Sequence, residues 1–212
     1  MGLFPVFLKL KGRKCLVVGA GTVAEAKVRS LLEGGADVHV VGPKATDTLQ
    51  QWAREGNLVW QARSFKPSDL KGMFLVVVAT SSRQLNERVY QEAARRRVLC
   101  NAVDDPAHCD FYYGAVVRSG PLQIAISTSG CSPALAQRLK HEIAKQFGPE
   151  YAAWVEQLGK TRRRLLARTM DPKRRLLLLH HLASEEEYAA FVRSKPGKKR
   201  VELVSGTPKK RQ

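Results

Sequence analysis

The sequence predicts an α/β fold, a doubly wound parallel sheet followed by a hairpin and a small helical region. Three observations predict it. In the first half, short β-branched runs alternate with helical stretches, the order that builds parallel sheets covered on both faces. Those runs are almost continuously apolar, as strands buried on both faces must be. After Val103 the rhythm breaks at Asp104-Asp105-Pro106, and the strand pattern that follows is interrupted by turn residues.

Taken in order, strands are expected over 14–18, 37–41, 58–62, 74–79 and 98–103. Helices are expected between them over 23–32, 46–55 and 84–95, with Gly34-Gly35 and Gly56 as stop signals. Strands over 111–118 and 122–127, separated by Ser119-Gly120-Pro121, read as a hairpin. Helices follow over about 133–147, 151–168 and 172–192, and from Lys195 the Lys/Arg/Gly/Pro-rich chain is expected to be a disordered tail. No internal repeat is present.

With 212 residues, 44% of them hydrophobic, the chain can bury a sizeable core. The longest apolar run, 74–79, is far short of the roughly 20 residues that cross a bilayer. The N-terminus lacks the layout of a secretory signal, so a cytoplasmic protein with no membrane partner is expected. Cys15, Cys100, Cys109 and Cys131 form no CxxC pair and no dense disulfide spacing, and Cys15 and Cys100 fall in strands as small buried hydrophobes. The net charge of +17 is uneven, with 16 Lys/Arg against 6 Asp/Glu after residue 150. That surplus favours an anionic partner: nucleic acid, a membrane surface or a polyanionic small molecule.

The strongest local motif is Gly19-Ala20-Gly21-Thr22-Val23-Ala24, a GxGxxA turn that leaves a strand and opens a helix. Gly19 permits the tight turn, Gly21 lets backbone N–H groups approach a pyrophosphate, and Ala24 leaves room for helix–strand packing. The unit is Rossmann-like and its expected ligand is a dinucleotide. The second strand ends in Val41-Gly42-Pro43-Lys44, with no acidic residue for the ribose 2′-hydroxyl, so the motif does not choose NAD over NADP. Pro43 and Lys44 are candidate cofactor contacts; Lys44 either tolerates a 2′-phosphate or is a solvated loop lysine. Thr80 and Ser81, at the end of the fourth strand, are candidate ribose or nicotinamide contacts or else caps of the next helix.

Asn101 to Pro106 again lies at the carboxyl end of a strand, where adjacent carboxylates Asp104 and Asp105 suggest general acid/base work. The alternative is a solvated Asp-Pro turn. Successive residues point in different directions, so one carboxylate is expected to reach a substrate. His108 and Cys109 lack partners at ligand spacing, no bound metal is expected, and His141, His180 and His181 read as ordinary helix residues. In Ser127-Thr128-Ser129-Gly130-Cys131-Ser132-Pro133, Ser132 is a natural N-cap with Pro133 at the first helical position. The hydroxyls and N–H groups of that loop also suit carboxylates.

Together these motifs resemble the siroheme synthase N-terminal family of precorrin-2 dehydrogenases, some of which are also sirohydrochlorin ferrochelatases. The resemblance covers about residues 1–145. It runs from Leu3-Phe4-Pro5-Val6-Phe7-Leu8 through residues 15–27, Ala79-Thr80-Ser81 and 101–106 to residues 125–136. It implies NAD as cofactor, precorrin-2 as substrate with ferrous iron as a further substrate in some members, and a homodimer. The implied plan is an NAD-binding domain over 1–112, a dimerisation segment over 113–148 and a helical domain over 149–194; the basic tail expected over 195–212 lies outside the resemblance. The residue matching the family's catalytic aspartate is Asp104. The serine-rich loop, phosphorylated in some members, matches Ser127, Thr128 and Ser129, and Gly114 stands where some relatives have proline. Asn101, Arg118 and Arg138 join Ser127–Ser129 as candidate substrate contacts, with the Arg162-Arg163-Arg164 run as a further basic candidate. No methyltransferase domain follows, so another protein is expected to make precorrin-2. The competing reading is a dinucleotide-sensing module whose basic C-terminus binds nucleic acid; no helix-turn-helix or aromatic stacking platform supports it.

Overall fold

The computed structural model describes residues 2–194, and the tail expected over 195–212 lies outside them. Five strands form one parallel sheet: β1 (Lys14–Val18), β2 (Asp37–Val41), β3 (Val59–Gln61), β4 (Leu75–Val78) and β5 (Leu99–Ala102). Their spatial order is β3-β2-β1-β4-β5. The first three strands wind one way from β1 and the last two the other, so the order reverses at the carboxyl ends of β1 and β4, where open α/β sheets bind ligands. β1 and β4 lie inside the sheet; β1 is apolar and buried from Cys15 onward, and all four residues of β4 are apolar and buried. β3, at an edge, is shorter than the expected 58–62.

Helices α1 (Thr22–Glu33), α2 (Asp47–Arg54) and α3 (Arg83–Arg95) connect the strands. One core cluster joins Val17, Val38 and Val77 to Ala24, Val28 and Leu31 of α1. The other joins Leu16, Val76 and Cys100 to Val89 and Ala93 of α3. Cys15 and Cys100 are fully buried, and burial pushes their thiols up to about 11 and about 12 respectively.

The chain divides into two compact units at Tyr113–Gly114. Residues 111–113 do not belong to the hairpin, contrary to expectation. They close the first unit, because the segment after β5 folds back on its open edge. Asp110 donates its N–H to the Cys100 carbonyl (2.7 Å) and accepts the Cys100 N–H on its carboxylate (2.9 Å). Asn101 donates its amide to the Phe111 carbonyl at 2.7 Å, and Phe111 packs against the α1-side core. An edge strand that would otherwise expose its backbone is thereby covered.

The second unit opens with the antiparallel hairpin β6 (Ala115–Ser119) and β7 (Leu122–Ile126). A Cβ on Gly114 would lie 2.9 Å from the Ile126 carbonyl oxygen, so the hairpin entrance has no room for a side chain. Helices α4 (Pro133–Gln146) and α5 (Pro149–Leu166) follow. The stretch expected as one helix over 172–192 is two, α6 (Pro172–Leu182) and α7 (Glu185–Arg193). The break falls at Ser184, whose hydroxyl accepts the Glu187 N–H, and Glu185-Glu186-Glu187 supply the acidic first turn that favours a new helix start.

Candidate active site

The GxGxxA segment leaves β1 at Gly19, whose φ is +103°, and a Cβ there would lie 2.2 Å from the Ala79 carbonyl oxygen. Gly19 is therefore fixed by the close passage of the end of β4. Gly21 differs: a Cβ there would meet nothing within 4 Å. Gly21 is the N-cap of α1 and offers no side-chain cap, so the first-turn N–H groups of α1 have no capping side chain, and the space beside Gly21 is open. Ala24 is fully buried beneath them, as close helix–strand packing requires. An uncapped helix N-terminus beside open space at a sheet's switch point fits a dinucleotide pyrophosphate.

The loop after β2 is tied to the same turn. Thr46 donates its N–H to the Ala20 carbonyl (3.0 Å) and its hydroxyl to Glu25 (2.9 Å) while capping α2. Pro43 and Lys44 are exposed on this loop. At the end of β4, Thr80 is engaged: its hydroxyl donates to the Asn86 carboxamide oxygen at 2.6 Å, and Asn86 is buried. The cap of α3 is Ser82, not Thr80 or Ser81, and Ser81 is exposed.

At the end of β5 the two aspartates diverge. Asp105 binds His108 Nδ1 at 2.8 Å, which pins the short helical turn Pro106–His108. Asp104 stands in left-handed backbone, φ +59°, with an exposed side chain. Asp tolerates this region better than most residues, and strained backbone of this kind gathers at functional sites. Lys27 of α1, absent from the candidates above, is half-buried with its Nζ 4.1 Å from the centroid of the Tyr113 ring. Burial lowers the Lys27 ammonium's pKa, while the Asp104 carboxylate acts in the opposite direction. The Asn101 carboxamide, expected at the substrate, is buried and directed at Phe111, which removes it from the open edge.

In the second unit Ser132 caps α4 as expected. Ser129 has φ +51°, and the Ser127 and Thr128 hydroxyls accept N–H groups of Ser129 and Ser132. Each hydroxyl keeps its own proton to donate. Arg118 is not gathered with this loop: it pairs with Gln123 beside the hairpin turn, whereas Ile126 ends the strand at the loop. At about 3.3 Å per residue, some 10 Å of strand separates Gln123 from Ile126. Arg138 is exposed on α4, with Glu142 at 3.6 Å. His181 approaches Glu187 at 3.5 Å. Among the described residues no group of three or more His, Cys, Asp and Glu side chains is placed to hold a metal ion, and no helix is long and apolar enough to cross a membrane.

Residues 6–115 match the family model described as "Putative NAD(P)-binding", and residues 119–146 match "Sirohaem biosynthesis protein central". The siroheme synthase of Nitrosococcus oceani is 38% identical over 167 residues, 74% of this chain and 36% of that protein. The siroheme synthase of Photorhabdus laumondii is 37% identical over 175 residues, 82% of this chain and 37% of that protein. The chain belongs to the siroheme synthase N-terminal family. It spans little more than a third of the length of these siroheme synthases. Among solved structures, "SirC, precorrin-2 dehydrogenase" superposes with a TM-score of 0.75 at 26% identity, covering 90% of this chain and 98% of that one. The siroheme synthase family thus accounts for both the Rossmann-like sheet and the hairpin with its following helix. Sequence reasoning missed Lys27, Asn86 and Asp110.

Proposed function

We propose that this chain is an NAD-dependent dehydrogenase that oxidises precorrin-2 to sirohydrochlorin. The observation that carries the reading is the pairing of an uncapped, glycine-lined helix N-terminus with the exposed Asp104 at one sheet edge. Support comes from the near end-to-end likeness to SirC, described as a precorrin-2 dehydrogenase.

The reaction removes one hydride and one proton from the macrocycle. NAD, when bound, supplies the hydride acceptor. The chain's own residues do the rest. First-turn N–H groups of α1 hold the pyrophosphate, Gly19 and the end of β4 fix the depth of the site, and Asp104 accepts the proton. Asp105, bound to His108, keeps the turn in shape. Thr80, Ser81, Pro43 and Lys44 remain the proposed cofactor contacts on flanking loops, and Ser127, Thr128, Ser129, Arg118 and Arg138 the proposed substrate contacts of the second unit.

A homodimer belongs to the same proposal. The two-stranded hairpin has open edges, Val116 and Ile124 are half-exposed, and Tyr112 is exposed. The N-terminal stretch adds Phe4, Val6 and Phe7, exposed by 87%, 59% and 68%. Open strand edges and exposed apolar side chains, on each unit by itself, are surface that a partner usually covers. The test of the catalytic reading is anaerobic incubation of precorrin-2 with NAD, in which NADH and sirohydrochlorin are expected in equal amounts. Absence of both overturns it. Continuing the same incubation with ferrous iron reads out siroheme formation.

A further inference from the structure

We propose that Lys27 is the anchor for one carboxylate of the anionic substrate, seating the macrocycle's edge against Asp104. The inference rests on the dehydrogenase reading and adds a binding residue to it.

Lys27 lies six residues after Gly21 on α1, about 9 Å further along the axis, beyond the turn that faces the pyrophosphate. Its ammonium does not extend into bulk water like most helix lysines; it lies over the Tyr113 ring at 4.1 Å. Tyr113 ends the segment that follows the Asp104 turn and folds back along β5, so the ammonium lies against that segment, on the side of α1 where the Asp104 charge reaches it. No carboxylate of the described residues comes within ion-pair distance of Lys27, although Asp104 is near enough for its charge to be felt. A half-buried ammonium has lost hydration, and a π face and a distant carboxylate return only part of it. An incoming carboxylate would restore the rest through a charge-assisted hydrogen bond. A substrate ringed by carboxylates carries the required group, and its docking here would set a ring edge beside the proposed base. The Tyr113 ring limits the ammonium's freedom, so little side-chain ordering is left to binding.

The test compares Lys27→Gln and Lys27→Arg with the unaltered chain in three measurements: precorrin-2 kinetics with NAD, NAD affinity by calorimetry, and binding of sirohydrochlorin followed by its absorption. Lys27→Gln is expected to raise both the KM for precorrin-2 and the Kd for sirohydrochlorin by about tenfold or more, the usual weight of a hydrogen bond to a charged group. NAD affinity is expected to hold, and Lys27→Arg to recover most of the loss. Unchanged KM and Kd in Lys27→Gln overturn the proposal. So does a parallel loss of NAD affinity, which marks a structural lysine, or a fall in kcat with a displaced pH profile and constant KM, which marks action on Asp104 alone. If the unaltered chain binds sirohydrochlorin tightly yet turns over no precorrin-2, the dehydrogenase reading fails while the binding comparison still decides the role of Lys27. If it binds no sirohydrochlorin, both fall.

Discussion

Gly19 and Gly21 stand two residues apart in one motif, yet the structure gives them different duties, and substitution separates them. A methyl group at Gly19 would collide with the Ala79 carbonyl in a backbone of φ +103°. Gly19→Ala is therefore expected to weaken both folding and dinucleotide binding, since β1 and β4 must part to admit it. Gly21→Asp meets open space, so the thermal midpoint is expected to stay near that of the unaltered chain. Its carboxylate would lie where α1 receives the pyrophosphate, and NAD affinity by calorimetry is expected to vanish. Unchanged affinity in Gly21→Asp would contradict the assignment of the turn. Both glycines were legible in the sequence through their motif, Gly19 because a turn this tight admits almost no other residue and Gly21 because backbone that receives a pyrophosphate leaves no room for a side chain between them. Lys27 and Asp110 were not: each is an ordinary polar residue whose partner is set by tertiary packing, Tyr113 for one and the Cys100 backbone for the other.

At the scale of elements, β1, β2 and α3 were readable nearly to the residue, since their ends carry glycines, a serine cap or a change from apolar to polar. The helix over 172–192 was read as continuous because apolar residues on both sides of residue 183, the leucines up to Leu182 before it and Tyr188, Ala189, Phe191 and Val192 after it, keep a helical rhythm; only the Ser184 cap with three glutamates marks the break. The end of α3 offers a check on the local physics. Arg97 follows it in left-handed backbone, φ +56°, with its N–H on the Ala94 carbonyl and the Val98 N–H on Ala93. Glycine usually holds this place, and a non-glycine residue there costs about 1 kcal/mol. Arg97→Gly is expected to raise the thermal midpoint by roughly 2–4 °C. A lower midpoint by calorimetry would show that Arg97 contributes a contact outweighing its backbone strain.

In the proposed reading, the whole molecule combines a sheet edge that receives a dinucleotide with a second unit whose half-exposed apolar hairpin pairs with a second copy. Light scattering at micromolar concentration is expected to give twice the 23.6 kDa chain mass, and a value near 23.6 kDa would contradict the proposed dimer. The two-unit plan was legible in the change of pattern after Val103, but the boundary was not, because residues 111–113 look like strand and are held by Asn101 and Lys27 instead. The central claim, that Asp104 takes the proton as precorrin-2 is oxidised, is tested most directly by the rate of NADH formation on precorrin-2 in Asp104→Asn and Asp105→Asn. Asparagine tolerates the left-handed turn as well as aspartate does, so the backbone should not move. Asp104→Asn is expected to bind NAD normally yet lose roughly 10²–10⁴-fold in turnover, while Asp105→Asn, disturbing only the His108 contact, loses far less. Near-normal turnover in Asp104→Asn would contradict the account.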